Sequence, residues 1–215
     1  MDMKLKNFFD TLTSTHTYVV WDQSSHDCVV IDPVLGFDPA TQKTFETTTP
    51  DVIQFVQANE LRPRAIIETH VHADHLTGSQ SLKNKWSNLP IVINEKIREV
   101  QKTFAKILSL PPDFLTDGSQ FDILVKDGDQ LTFGNLEARV IHTPGHTPAC
   151  TSYLFGDTLF VGDALFLPDV GSGRCDFPGG SAKTLYPSIH EKLYKLKSET
   201  KICVGHDYPH AQSDR

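Results

Sequence analysis

Thr69-His70-Val71-His72-Ala73-Asp74-His75 sets three imidazoles and a carboxylate within six positions, after the apolar run Ala65-Ile66-Ile67. Neutral imidazole and carboxylate oxygen are donors suited to zinc, iron or manganese. On an extended strand only i, i+2 and i+4 share a side, so these groups cannot all line one strand face. A strand ending in a tight loop would fold the run back on itself. His70 and His72 would then aim at one point, and Asp74 and His75 at a neighbouring one. Three of the chain's ten histidines fall in this short run, a density that a chance polar loop does not explain.

The spacing His-x-His-x-Asp-His resembles the signature of the metallo-β-lactamase superfamily. That resemblance implies a lone His on a loop, an Asp after a strand and a late His after the last strand. The chain offers them in that order: His146 in Thr143-Pro144-Gly145-His146-Thr147, Asp163 in Phe160-Val161-Gly162-Asp163, and His206 in Cys203-Val204-Gly205-His206-Asp207. The candidate metal ligands are therefore His70, His72, Asp74, His75, His146, Asp163 and His206. The same resemblance implies an αββα sandwich, two mixed β-sheets flanked by helices, with metal bound by loops at one edge. Residue pattern alone supports only α/β or α+β.

Two arrangements of these ligands are open. In one, His70, His72 and His146 hold one Zn(2+), Asp74, His75 and His206 hold a second, and Asp163 bridges; the chemistry is hydrolysis. In the other, His70, His146 and Asp163 hold one Fe(2+) per chain as a two-His-one-carboxylate triad with open positions. His72, Asp74, His75 and His206 then act from the surrounding pocket. The flanks Glu68 to Ser79, Gly162-Asp163-Ala164-Leu165-Phe166, Arg174-Cys175-Asp176-Phe177 and His206-Asp207-Tyr208 resemble the persulfide dioxygenases. That likeness implies oxidation of glutathione persulfide with O2 to sulfite and glutathione. The alternative is a glyoxalase II-type thioester hydrolase. The stretch from Pro168 to Gly180 is longer than its dioxygenase counterpart and is similar to a bacterial β-lactamase-like hydrolase subgroup.

Other residues in and near these motifs have roles to weigh. Arg174 offers a bidentate fork for a glutathione carboxylate, or pairs with Asp176. Tyr208 beside His206 is a candidate for both substrate binding and catalysis, and Asp74 is a second catalytic candidate. Cys175 reads as a small buried hydrophobe more readily than as a sulfur acceptor. His142 is four residues from His146, but Pro144 and Gly145 place it on a loop in a structural role. His16, His26 and His190 have no companion motif.

The elements that must position these groups are legible in outline. Thr17–Asp22 and Asp27–Asp32 read as a hairpin, with Pro33 stopping the second strand. Thr49 as N-cap and Pro50 open a helix, and the region Phe37 to Thr49 looks like an insertion. A strand from Arg64 to Thr69 feeds the motif, and Leu76–Trp86 reads as a helix behind it. Ile91–Ile93, Leu131–Phe133, Leu136–Ile141, Thr151–Phe155, Thr158–Val161 and Lys201–Val204 read as strands. Helices are expected near Glu95–Leu108 and Ala182–Leu196.

The 215 residues suffice for one domain spanning 1–215 with a sizeable core. A net charge of −7 argues against a nucleic-acid partner. No apolar run reaches a membrane span, and Met1 to Asn7 lacks a signal peptide's apolar core. Four dispersed cysteines without a CxxC pair suit a reducing cytoplasm. The expected partners are a small thiol derivative and O2, with no membrane and no nucleic acid; a homodimer is compatible with the chain.

Overall fold

The computed structural model describes residues 2–208. Its first sheet comprises β1 (Met3–Asp10), β2 (Thr15–Asp22), β3 (Asp27–Ile31), β6 (Arg62–Ile67), β8 (Ile91–Asn94) and β9 (Ile123–Val125), in the order β1-β2-β3-β6-β8-β9. The β1–β2 and β2–β3 pairs are antiparallel, and β3–β6, β6–β8 and β8–β9 are parallel. The second sheet runs β10 (Gln130–Phe133), β11 (Leu136–His142), β12 (Thr151–Phe155), β13 (Thr158–Gly162) and β14 (Lys201–Val204). It is antiparallel except for the last pair, which is parallel.

Alternation along the strands explains why the sheets stack. Val29 and Ile31 of β3, Ala65 and Ile67 of β6 and Val92 of β8 point one way. They meet Val140, Tyr153, Phe155 and Phe160 of the second sheet in one buried cluster. The intervening Cys28, Val30 and Ile66 point the other way, against Val52 and Val56 of α1 (Thr49–Ala58) and Leu82 of α2 (Ser79–Lys85). With both faces covered, β3 is buried at every residue. Leu185 of α4 (Ala182–Pro187), together with Ile189 and Leu193, covers Leu159 and Val161 on the outside of the second sheet. The result is the expected sandwich, helix–sheet–sheet–helix. α3 (Ile97–Ile107) packs Ile97 and Val100 against Ile93 and Ala149. No helix of the described residues is long and apolar enough to cross a membrane.

Local expectations shift in four places. The region expected as an insertion forms a hairpin, β4 (Val34–Asp38) with β5 (Lys43–Glu46). Leu76–Thr77, expected as helix, is instead strand β7, paired antiparallel to Val34 and Leu35. Helix α2 therefore starts only at Ser79. The cap of α1 is Thr48, one residue before the expected Thr49, whose hydroxyl donates to the Val34 carbonyl at 3.0 Å instead. The helix expected through Leu196 changes pitch after Pro187, because proline has no N–H for the ladder. Ser188–Leu193 is a π-helical turn, and the Tyr194 N–H reaches back five residues to the Ile189 carbonyl at 2.8 Å.

β13 ends at Gly162 with φ of +50°, where an added Cβ would lie 2.4 Å from Thr69 Oγ1. Only glycine lets the strand end turn this close to the His-rich loop. Gly162→Ala is expected to destabilise the fold by about 2–4 kcal/mol, from left-handed strain plus overpacking. The check is a lowered urea midpoint at unchanged slope.

Candidate metal centre

The His-rich loop leaves the C-terminal end of β6, His146 follows β11, Asp163 follows β13 and His206 follows β14. Four strand ends from two sheets thus converge on one edge. Asp163 is the meeting point. Its Oδ2 lies 3.8 Å from His70 Nε2 and 3.6 Å from His146 Nε2, and its Oδ1 lies 3.4 Å from His206 Nε2. His206 Nε2 is also 3.5 Å from Asp74 Oδ2. An added Cβ at Gly205 would sit 2.8 Å from Asp163 Oδ1, so this approach depends on glycine.

Three groups of donors have atoms mutually within 4.8 Å: His70–His146–Asp163, His72–Asp74–His75, and Asp32–Glu68–His72. All three members of the first are buried, whereas Asp74 of the second is exposed. His72 Nε2 faces the floor, 3.4 Å from Asp32 Oδ1 and 3.8 Å from Glu68 Oε2. Motif reading named His72 but missed Asp32 and Glu68. The signal available for them was slight: an acid at a strand end before proline, and an acid just before Thr69.

Hydrogen bonds decide which nitrogen of each imidazole is free. The Thr69 hydroxyl has one proton and gives it to Asp32 Oδ2 at 2.8 Å. It must then accept from His70 Nδ1–H at 3.0 Å, which leaves His70 Nε2 as a lone pair. A second chain has the same logic. Thr13 Oγ1 donates to Asp10 Oδ2 at 2.6 Å, so the Thr15 hydroxyl donates to Thr13 Oγ1 at 2.8 Å and accepts from His206 Nδ1–H at 3.2 Å. His146 Nδ1–H donates to the Arg174 carbonyl at 2.7 Å, and His75 Nδ1–H to the Leu76 carbonyl at 2.9 Å. All four rings therefore present unprotonated Nε2 atoms. Bonds of this kind orient metal-binding imidazoles and raise their basicity.

The charge balance fits a cation. Burial holds His70 and His72 well below the ordinary histidine range, and His146 and His206 are lowered by the same cause, so these rings stay neutral. Burial, then the Asp74 and Asp32 carboxylates, push the Asp163 carboxyl well above the usual carboxylate range. A bound metal ion reverses that penalty. Apart from Thr48 Oγ1, the buried side-chain polar atoms without a hydrogen-bond partner among the described residues lie here. They are Asp163 Oδ1, His206 Nε2, His75 Nε2, both nitrogens of His72 and Glu68 Oε2. Buried polar atoms are rarely left unpaired, so this concentration marks a place for an ion.

A model of the metallo-beta-lactamase superfamily matches residues 10–206. The chain belongs to the metallo-β-lactamase superfamily. Its relatives within the superfamily include Glyoxylase B2 of Dictyostelium discoideum, 45% identical over 96% of this chain and 70% of the relative. The human mitochondrial persulfide dioxygenase ETHE1 is 34% identical over 95% of this chain and 68% of the relative. Among solved metallo-β-lactamase folds, ETHE1 from Myxococcus xanthus superposes with a TM-score of 0.76 at 32% identity, covering 96% of this chain and 77% of that one.

The rim of this metallo-β-lactamase site carries the remaining candidates. Asp74, Asp163, Phe166, Arg174 and Tyr208 line a cavity of about 430 Å³. Tyr208 stacks on His206 with ring centres 5.1 Å apart. Arg174 forms a two-pronged pair with Asp176, both contacts 2.6 Å, and its guanidinium lies 4.8 Å from the Phe177 ring centre. Cys175 is half-buried and burial raises its thiol, which disfavours the thiolate. The ring of His142 donates to the Pro148 carbonyl at 2.8 Å, the expected structural role.

Two substitutions probe the support of the site. Thr69→Val keeps the side-chain shape but removes the hydroxyl between Asp32 and His70. Metal affinity is expected to fall roughly 10–100-fold with the fold retained, measured by competition with a metallochromic chelator. In the metal-free protein burial lifts the Glu68 carboxyl from 4.5 to about 8, helped by the Asp32 carboxylate. Stability from such a group is complete below the unfolded value and lost as pH rises through the folded one. Glu68→Gln cannot ionise, so it should gain on the wild type between pH about 5 and about 8, read from paired denaturation midpoints.

Proposed function

We propose that this protein is a persulfide dioxygenase with one Fe(2+) at His70, His146 and Asp163, acting on glutathione persulfide. The observation that carries the reading is the buried, separate His70–His146–Asp163 group, while the His72 ring faces Asp32 and Glu68. A two-His-one-carboxylate group leaves positions open for substrate. The likeness to the human protein named persulfide dioxygenase ETHE1, and to ETHE1 from Myxococcus xanthus, supports it. The overall reaction is R–S–SH + O2 + H2O → R–SH + SO3²⁻ + 2 H⁺, in which the two sulfurs of the persulfide together lose four electrons and dioxygen gains them. Iron, when bound, supplies the redox step that activates dioxygen.

The protein's own residues do the rest. The Tyr208 hydroxyl, pushed up to about 12 by burial and then by the Asp163 and Asp74 charges, stays protonated. It donates a hydrogen bond into the cavity and helps to place the substrate. Asp74, exposed beside His206, takes the proton that the persulfide sheds. Arg174 at the rim meets a glutathione carboxylate by exchanging it for Asp176, a surface pair of small net value. A two-zinc thioester hydrolase is the rival reading, favoured by the His72–Asp74–His75 group.

The test is metal content and oxygen uptake on freshly purified protein. One iron per chain is expected, with sulfite released as oxygen is consumed. Asp163→Ala should lose both iron and activity, while Asp74→Ala keeps most of the iron. Zinc-loaded protein should hold its fold and consume no oxygen. A fully occupied two-zinc centre that cleaves S-lactoylglutathione without oxygen uptake would replace this reading with the hydrolase.

A further inference from the structure

A second cavity, about 400 Å³, adjoins the first across a shared wall of Ala73, His146 and Phe177. Val71, Ile97, Val100, Phe104 and Leu110 contribute its apolar lining, and no Lys, Arg, Asp or Glu lines it. His72 and His146 close it on the side of the metal edge, and its other polar side chains, Gln101 and Thr147, are already engaged. Gln101 donates to Gln120 Oε1 at 2.7 Å and accepts from the Gly118 N–H at 2.9 Å. Thr147 Oγ1 contacts Cys150 Sγ at 3.1 Å and accepts from the Ala149 N–H at 3.3 Å. Away from the metal edge such a lobe offers no charged partner to the amine and carboxylates of a tripeptide, and burying them unpaired would be costly. The cationic side chain of the neighbouring cavity, Arg174, lies on the other side of the wall.

We infer that this lobe is a subsite for an unbranched alkyl or acyl chain borne by the reacting sulfur. A second substrate class follows: persulfides of apolar-tailed thiols, placed with the chain against Val100 and Phe104 and the sulfur beside His146. The inference rests on the persulfide reading for its chemistry, and the reaction balances as above with R an alkyl chain. Pockets for small ligands are largely apolar with a few polar groups to orient them, which is the division between these two lobes. At about 30 Å³ per heavy atom, the cavity takes a chain on the order of ten heavy atoms.

The experiment is a chain-length series on the iron-loaded protein, with butyl, hexyl and octyl persulfides against glutathione persulfide, followed by oxygen uptake. The corresponding alkanethiols are titrated calorimetrically under argon as a binding readout independent of turnover. Burial of each added methylene should raise both kcat/KM and thiol affinity about fourfold until the lobe is full. Leu110→Glu should flatten that slope, and Phe104→Ala should move the longest tolerated chain upward. Slopes that are flat in the wild type, with glutathione persulfide still oxidised, would overturn the subsite and leave the dioxygenase standing. Thiol affinity that rises with chain length and is lost in Leu110→Glu, without oxygen uptake from any persulfide, would keep the subsite and remove the dioxygenase.

Discussion

The carboxylate of Asp32 is the tie on which the metal edge depends. One oxygen accepts the Thr69 N–H at 2.7 Å and the other the Thr69 hydroxyl at 2.8 Å. These bonds lock the end of β6 to the end of β3 just where the chain leaves regular pairing. Asp32 itself sits at φ of +49°, a strained conformation for a residue with a side chain. It is fully buried, and burial lifts its carboxyl to about 6 against the pull of the Thr69 donors. Strain and desolvation persist there because the surrounding bonds over-determine the position.

From that tie the order passes outward. Thr69 fixes the His70 ring, and its carbonyl accepts from the Thr151 N–H at 3.0 Å, joining the first sheet to the second. Tyr153 makes a parallel link, donating its hydroxyl to the Glu68 carbonyl at 3.3 Å. The Asp10–Thr13–Thr15 relay does for His206 what Asp32–Thr69 does for His70. In each a carboxylate, one or two hydroxyls and an imidazole in series set the tautomer. Two sheets contribute to the site, so its geometry is only as firm as the apolar layer between them.

Fold and chemistry separate at this point. Relatives with the same architecture bear names as different as glyoxylase and persulfide dioxygenase. What differs between such activities is decided at side-chain scale: which donors gather into one group, where His72 turns, and what lines the cavities. In this chain a polar lobe lined by Arg174 and Tyr208 adjoins an apolar lobe lined by Ile97, Val100 and Phe104 of α3.

The seven donors were legible in the chain because their signal is local: short loops after apolar strands, in a fixed order. The short apolar runs Cys28-Val29-Val30-Ile31 and Ala65-Ile66-Ile67 likewise read as strands, and the two groups of strands with helices between them read as a layered fold. Strand β1 went unread since Met3–Asp10 mixes lysines and phenylalanines on an exposed edge. Leu76–Thr77 read as helix because helical spacing continues through it, but pairing with β4, some forty residues earlier, overrides that preference. Asp32 and Glu68 carry only slight local signals, and Thr13 and Thr15 carry none. Their roles come from contacts between residues far apart in the chain, such as Thr15 with His206, and only the folded sandwich brings those together. The sequence by itself determined which groups can bind metal. The tertiary structure decided how they gather, which nitrogens are free and how the cavity beside them is lined, since each depends on distances that local spacing does not encode.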